Sequence, residues 1–192
     1  FYGAAEFSRD VDLVVLLDDA NLDCLRNALA ELDASPIAVP PLDRDALVRG
    51  HAVHFRCRRP DVVGLRIDVM ARLRGVPSFE ELWERRTTIE AEGETIDMLS
   101  LPDLVLAKKT QRDKDWPMIR RLVERTFYSN VEQSAQSVNF WLAELRSPEL
   151  LIEVAERYPA AAAQSPRPAV QAALRRDRTA IEHQLEAEEK AE

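Results

Sequence analysis

From residue 10 the chain alternates acid and apolar, Asp10-Val11-Asp12-Leu13, then stays apolar through Val14, Val15, Leu16 and Leu17, which predicts a strand entering a core. Asp19-Ala20-Asn21 gives a cap-like start to a helix over residues 20–33, with Leu22, Leu25, Leu29 and Leu32 on one face. Pro36, Pro40 and Pro41 break the chain, and a short helix over residues 43–48 stops at Gly50, the usual left-handed terminator. His51 to Cys57 alternates as a strand, Arg58-Arg59-Pro60-Asp61 turns it, and Val62 to Met70 returns as its antiparallel partner. That hairpin sets Asp68 on a strand able to lie beside the first.

Further on, Phe79 to Arg85 reads as a short helix, followed by small strands over residues 87–91 and 95–99 around Glu92-Gly93-Glu94. Ser100-Leu101-Pro102-Asp103 opens a helix with a serine cap and an early proline. This helix turns Leu104, Leu106 and Ala107 inward and carries Lys108 and Lys109 at its far end. Residues 111–115 form a polar joint before a helix from Trp116 to about Arg125. Beyond Val131 the pattern is helical, with Phe140, Trp141, Leu145, Leu150, Leu151, Ile152 and Val154 available for burial. Tyr158 to Pro168, rich in alanine and proline, reads as a linker, and residues 169–192 as one amphipathic, very polar helix that frays or meets a partner.

The expected fold class is therefore α+β: a small mixed or antiparallel sheet flanked by helices, with a helical C-terminal part. The expected organisation is a first domain over residues 1–128, a helical extension over 129–158, a linker over 159–168 and a polar helix over 169–192.

At 192 residues, 46% hydrophobic and 31% charged, the composition is that of a soluble globular protein with room for one good core. No apolar stretch approaches the roughly 18 residues of a membrane span, and the first residues lack the basic start and apolar centre of a signal peptide. Cytoplasmic location is the expectation. Two cysteines, Cys24 and Cys57, are too few for a structural zinc site and read as packing residues. The net charge of −8 argues against a surface that coats nucleic acid. Arginine is nevertheless concentrated around Asp68, at 56, 58, 59, 66, 72 and 74, as suits either a polyphosphate or RNA substrate or a solvated basic hairpin.

The candidate chemistry lies in the acids. Residues i and i+2 of a strand share a face about 6–7 Å apart, so Asp10 and Asp12 can share a cation. An acid pair before a strand often does no more than end a loop in water. Asp68 changes the weighing, because it interrupts Val-Val-Gly-Leu-Arg-Ile-Asp-Val-Met, where an unpaired buried carboxylate is costly. Magnesium takes hard oxygen ligands and completes its shell from water and substrate phosphates. One carboxylate bridging two ions, with a flanking acid for each, suits in-line phosphoryl displacement.

Three stretches together resemble the minimal nucleotidyltransferases of the polymerase-beta superfamily, in their AbiEii-toxin-like bacterial branch. They are Tyr2-Gly3 with Ser8-Arg9-Asp10-Val11-Asp12-Leu13-Val14-Val15; Arg66-Ile67-Asp68-Val69-Met70; and residues 96–109 followed by Arg112-Asp113-Lys114-Asp115. The resemblance spans residues 1 to about 125. It implies magnesium or manganese held by Asp10, Asp12 and Asp68, and an NTP as substrate. Ser8, Arg9, Lys108, Lys109, Arg112 and Lys114 are then placed to meet nucleotide phosphates; a surface charge cluster joining two helices is the plain alternative for the last four. It further implies transfer of a nucleoside monophosphate to an RNA, small-molecule or protein acceptor. An antitoxin, or a second copy of the chain, would engage the C-terminal helices.

Members of that family carry Gly-Gly or Gly-Ser at the end of a helix upstream of the Asp-x-Asp. The sequence begins at Phe1, too late for that helix, and Gly3 is no substitute, so the expectation is a piece of a longer chain. The missing glycines also keep open a non-catalytic nucleotide-binding or interaction module on the same scaffold. A phosphohydrolase using these acids would want a histidine among them. The pattern places His51 and His54 on a separate strand and His183 in the polar tail, and solvent is the expected neighbour of all three.

Overall fold

The computed structural model describes Tyr2 and residues 10–109, 115–129 and 134–191. Gly3, Ser8, Arg9, Arg112 and Lys114 lie outside the described residues, as does most of the polar joint. Two compact units divide the chain, one within Glu6–Asp103 and the other within Leu104–Glu192. The first expected domain ran on to residue 128; compaction instead changes hands inside the helix that begins at Leu101.

The first unit is built from β1 (Asp10–Val14), α1 (Asp19–Glu31), β2 (Ala34–Pro36), α2 (Arg44–Val48), β3 (Val53–Cys57), β4 (Arg66–Met70), α3 (Phe79–Glu84), β5 (Thr87–Ala91) and β6 (Glu94–Met98). Four strands form one sheet in the order β1-β4-β3-β2, and β5 pairs with β6 in a separate hairpin. β4 runs parallel to β1 and antiparallel to β3, as expected of the hairpin that returns Asp68 beside the first strand. β2 is an addition: Ala34 to Pro36 pair with Cys57 to Phe55 before the prolines break the chain. Pro36 is tolerated there because β2 is an outer strand.

Strand alternation decides which face is core. Val53, Phe55 and Cys57 of β3 and Ile67 and Val69 of β4 are buried together with Leu22 and Leu29 of α1 and Leu47 of α2, with Leu13 and Val15 packed against them. Burying each of the larger apolar side chains contributes about 1.5–3 kcal/mol. The helix start falls earlier than the sequence pattern put it. Asp18 is the cap of α1, its Oδ1 accepting from the Asn21 amide at 2.8 Å. Cys57 is a packing residue, as read, but Cys24 is exposed, because its position on α1 falls away from the Leu22/Leu29 stripe.

α2 ends in a tight left-handed turn. Gly50, at φ 85°, donates to the Leu47 carbonyl, and His51 donates to that of Ala46. A Cβ at position 50 would meet nothing within 4 Å, so only backbone strain opposes a side chain there. Gly50→Ala is expected to destabilise this unit by about 1 kcal/mol in urea unfolding, and an unchanged midpoint would contradict the assignment.

α4 (Leu101–Lys109) leads out of the first unit. Its first turn is pinned by Asp103, which is 1% exposed and accepts from Ser100 Oγ at 2.6 Å and from the Arg85 fork at 2.6 and 2.8 Å. Val105 and Ala107 are its buried residues, whereas Leu104 and Leu106, expected inside, are half-buried.

The second unit is helical: α5 (Trp116–Ser129), α6 (Ala135–Glu144), α7 (Pro148–Arg157), α8 (Pro159–Gln164), α9 (Pro168–Leu174) and α10 (Arg178–Ala191). Trp141, Leu145, Leu151, Val154, Val170 and Ile181 are almost wholly buried in it. The expected linker over residues 159–168 is in fact α8 and the approach to α9, and Ala162 is fully buried. Proline at the first helical position needs no amide partner, and a run of alanines is the best helix-forming sequence, so this composition marks a helix start rather than a spacer. The single helix expected over residues 169–192 is two, separated where Arg176 adopts φ 55°. α10 neither frays nor leaves its apolar face open: Ile181 and Leu185 are buried, and the helix packs on α9 and α7. No helix among the described residues is long and apolar enough to cross a membrane.

Candidate functional site

The same alternation that buries Ile67 and Val69 turns Arg66 and Asp68 to the opposite face of the sheet. Register then fixes their neighbours. Asp12 of β1 stands opposite Asp68, and Asp10 opposite Arg66. On the other side, His54 of β3 stands opposite Asp68, and Arg56 opposite Arg66. Two rows therefore cross the three strands, Asp12-Asp68-His54 and Asp10-Arg66-Arg56, with neighbouring strands about 4.8 Å apart. Acids gather toward the β1 side and cations toward β3.

Asp10 and Asp12 are exposed, while Asp68 is only 6% exposed. Its carboxylate is held on both oxygens. Arg66 donates from Nε to Oδ1 at 2.8 Å and from Nη2 to Oδ2 at 2.5 Å, a bidentate fork reaching two residues along its own strand. His54 Nδ1 donates to Oδ1 from 2.8 Å across the β3–β4 ladder. Burial pushes the Asp68 carboxyl up, but the hydrogen bonds from Arg66 and His54 prevail and hold it below the usual carboxylate range. The Arg66 guanidinium is raised above its ordinary value, first by its hydrogen bonds to Asp68, then by the charges of Asp68, Asp10 and Asp12. Arg66 thus sits in the field of all three acids.

This corrects two sequence expectations. A histidine does join the acids, because antiparallel register brings His54 onto Asp68 although the two belong to different strands. And Arg66, read only as one of a basic group, is the direct partner of the third acid. The i, i+2 rule that joined Asp10 to Asp12 applies equally to Arg66 and Asp68, so that signal lay in the sequence. Other members of the arginine group have acidic partners of their own: Arg58 pairs with Asp33 at 2.9 Å and Arg59 with Asp61 at 2.7 Å. They belong to a salt-bridged hairpin end.

Lys108 and Lys109 close α4 in the helical unit. Lys109 lies 3.1 Å from Glu144 Oε2, with both side chains largely buried, and so joins α4 to α6. Ser8, Arg9, Arg112 and Lys114 lie outside the described residues.

As a donor set, three carboxylates on adjacent parallel strands suit a hard divalent cation. Among the described residues, however, no group of three or more His, Cys, Asp and Glu side chains is gathered closely enough to hold a metal. The physical reason is on the page: Asp68 is turned onto Arg66 and His54. Two carboxylates remain exposed beside it, and the third becomes a ligand when Arg66 lets go.

No protein-family model, curated protein or solved structure matches the chain.

Proposed function

We propose that the sheet unit is a magnesium-dependent nucleotidyltransferase domain acting in the cytoplasm, moving a nucleoside monophosphate from an NTP to an acceptor hydroxyl. The observation that carries the proposal is the parallel register of β1 and β4, which sets Asp12 beside Asp68 and Asp10 one pair along, on a face the core leaves polar. In the reaction the acceptor oxygen bonds to the α-phosphorus and the bond from that phosphorus to its bridging oxygen breaks, so that pyrophosphate departs. Bound magnesium supplies charge neutralisation on the triphosphate and a lowered pKa at the acceptor hydroxyl. Asp10 and Asp12 hold it against the phosphates, and Asp68 orients it toward the acceptor. Arg66 and Arg56 offer cationic charge along the same face.

RNA, a small molecule and a protein are the acceptor classes in view. The helical unit is where an antitoxin or a second copy would dock. A second reading, a nucleotide-binding module without chemistry, is favoured by one observation: the Asp68 carboxylate is already satisfied by Arg66 and His54.

Calorimetric titration of the chain with each of the four NTPs and magnesium, beside a variant carrying Asp10→Asn, Asp12→Asn and Asp68→Asn, tests the proposal. Magnesium-dependent binding in the natural chain, lost in the variant, is the expected result. Absence of binding to every NTP would overturn it.

A further inference from the structure

We propose that Arg66 is an internal stand-in for the divalent cation: it occupies Asp68 in the free protein and exchanges that carboxylate for phosphate oxygens when a metal–polyphosphate binds. The identity of the polyphosphate rests on the nucleotidyl-transfer proposal; the exchange rests on geometry alone.

Three observations carry it. The Arg66 fork covers both oxygens of Asp68, at 2.8 and 2.5 Å, so an additional cation at this carboxylate must displace it. Its register partner is Asp10, and Asp68's is Asp12, which places the guanidinium where the three carboxylates converge and where a divalent cation would sit. The Arg66 side chain is 42% exposed against 9% for Asp68, so the arginine has solvent to swing into and the aspartate does not.

Exchange balances charge at each stage. In the free protein one guanidinium offsets three clustered carboxylates, and the surplus negative charge attracts a divalent ion. Once such an ion is at Asp68, the displaced guanidinium needs an anion, and phosphate oxygens match its fork as well as a carboxylate does. Arg56, its register partner on β3, extends the cationic strip away from the acids. Metal and polyphosphate therefore bind as a coupled pair: either alone leaves one partner of the Arg66–Asp68 contact uncompensated. His54 keeps Oδ1 oriented while the exchange takes place.

The test compares the natural chain with Arg66→Gln and Arg66→Lys, titrated with Mn2+ alone by electron paramagnetic resonance and with inorganic tripolyphosphate in saturating Mn2+ by calorimetry. Circular dichroism confirms that each variant is folded. Removing a competitor that closes the site about nine-tenths of the time raises metal affinity roughly tenfold. The expected result is therefore Mn2+ binding roughly tenfold tighter in Arg66→Gln, tripolyphosphate binding about tenfold weaker, and Arg66→Lys between the two. The gain in Mn2+ affinity should vanish when Asp68→Asn is added. Mn2+ affinity unchanged or reduced in Arg66→Gln, or tripolyphosphate binding insensitive to residue 66, overturns the exchange. If both shifts occur yet no NTP binds the natural chain, the exchange is supported and nucleotidyl transfer is the part that fails.

Discussion

Asp12→Asn is expected to lower magnesium-dependent nucleotidyl transfer on the order of a thousandfold, the scale on which electrostatic stabilisation of a transition state is lost. Asp12 is exposed on β1, opposite Asp68, so asparagine costs the fold nothing it uses and costs the site a charge. Its unfolding free energy should stay within about 0.5 kcal/mol of the natural chain, as for a surface substitution. Asp68→Asn should lose transfer equally but behave differently in unfolding, because it strips the anion from a fork and from an imidazole at a 6% exposed position. Pyrophosphate release across a panel of RNA and small-molecule acceptors, read beside urea unfolding, separates the two. Full release by Asp12→Asn would remove this residue from the chemistry.

Trp141→Ala is expected to destabilise the helical unit by about 3–5 kcal/mol, the range for truncating a large buried aromatic. Trp141 is 1% exposed, and its ring meets Phe127 edge-on, with centroids 5.2 Å apart and an interplanar angle of 78°. Its indole Nε1 donates to Thr126 Oγ1 at 3.1 Å. Phe127 and Thr126 both lie on α5, so one side chain of α6 fastens the two helices by packing and by a hydrogen bond. Trp141→Phe keeps the ring contact and loses the donor, and should cost about 1–2 kcal/mol. Chemical denaturation followed by far-ultraviolet circular dichroism measures both. A loss below about 1 kcal/mol for the alanine variant would show that Trp141 is not the fastener.

Much of the sheet unit was legible because its signals are local. The acid–apolar alternation of β1, the leucine stripe of α1, the turn at residues 58–61 and the stop at Gly50 each act within a few residues, and each element formed where expected. Register was legible one step removed: once β3 and β4 pair as a hairpin, turn length fixes which residues oppose, and His54 falls on Asp68. Reading His54 as separate counted strands and left out register. Arg66 was hidden in a crowd, since six nearby arginines look alike until periodicity sorts them by face. β2 and the helical 159–168 segment were masked by proline. Proline at an outer strand or a helix start is accommodated, but in a one-dimensional pattern it reads as a break. Lys109 was legible as a charge but not as a tether, because Glu144 lies 35 residues away.

The acids of the site are divided between strands far apart in the chain, Asp10 and Asp12 on β1 and Asp68 on β4, with α1, β2, α2 and β3 between them. Closing so long a loop is slow compared with forming the β3–β4 hairpin, which needs only a turn. An early folding species holding that hairpin already has the Arg66–Asp68–His54 contacts, all of which lie on β3 and β4. It has no acid pair. In that species Arg66 would act as a chaperone for Asp68, keeping a carboxylate satisfied in a half-built sheet until β1 arrives.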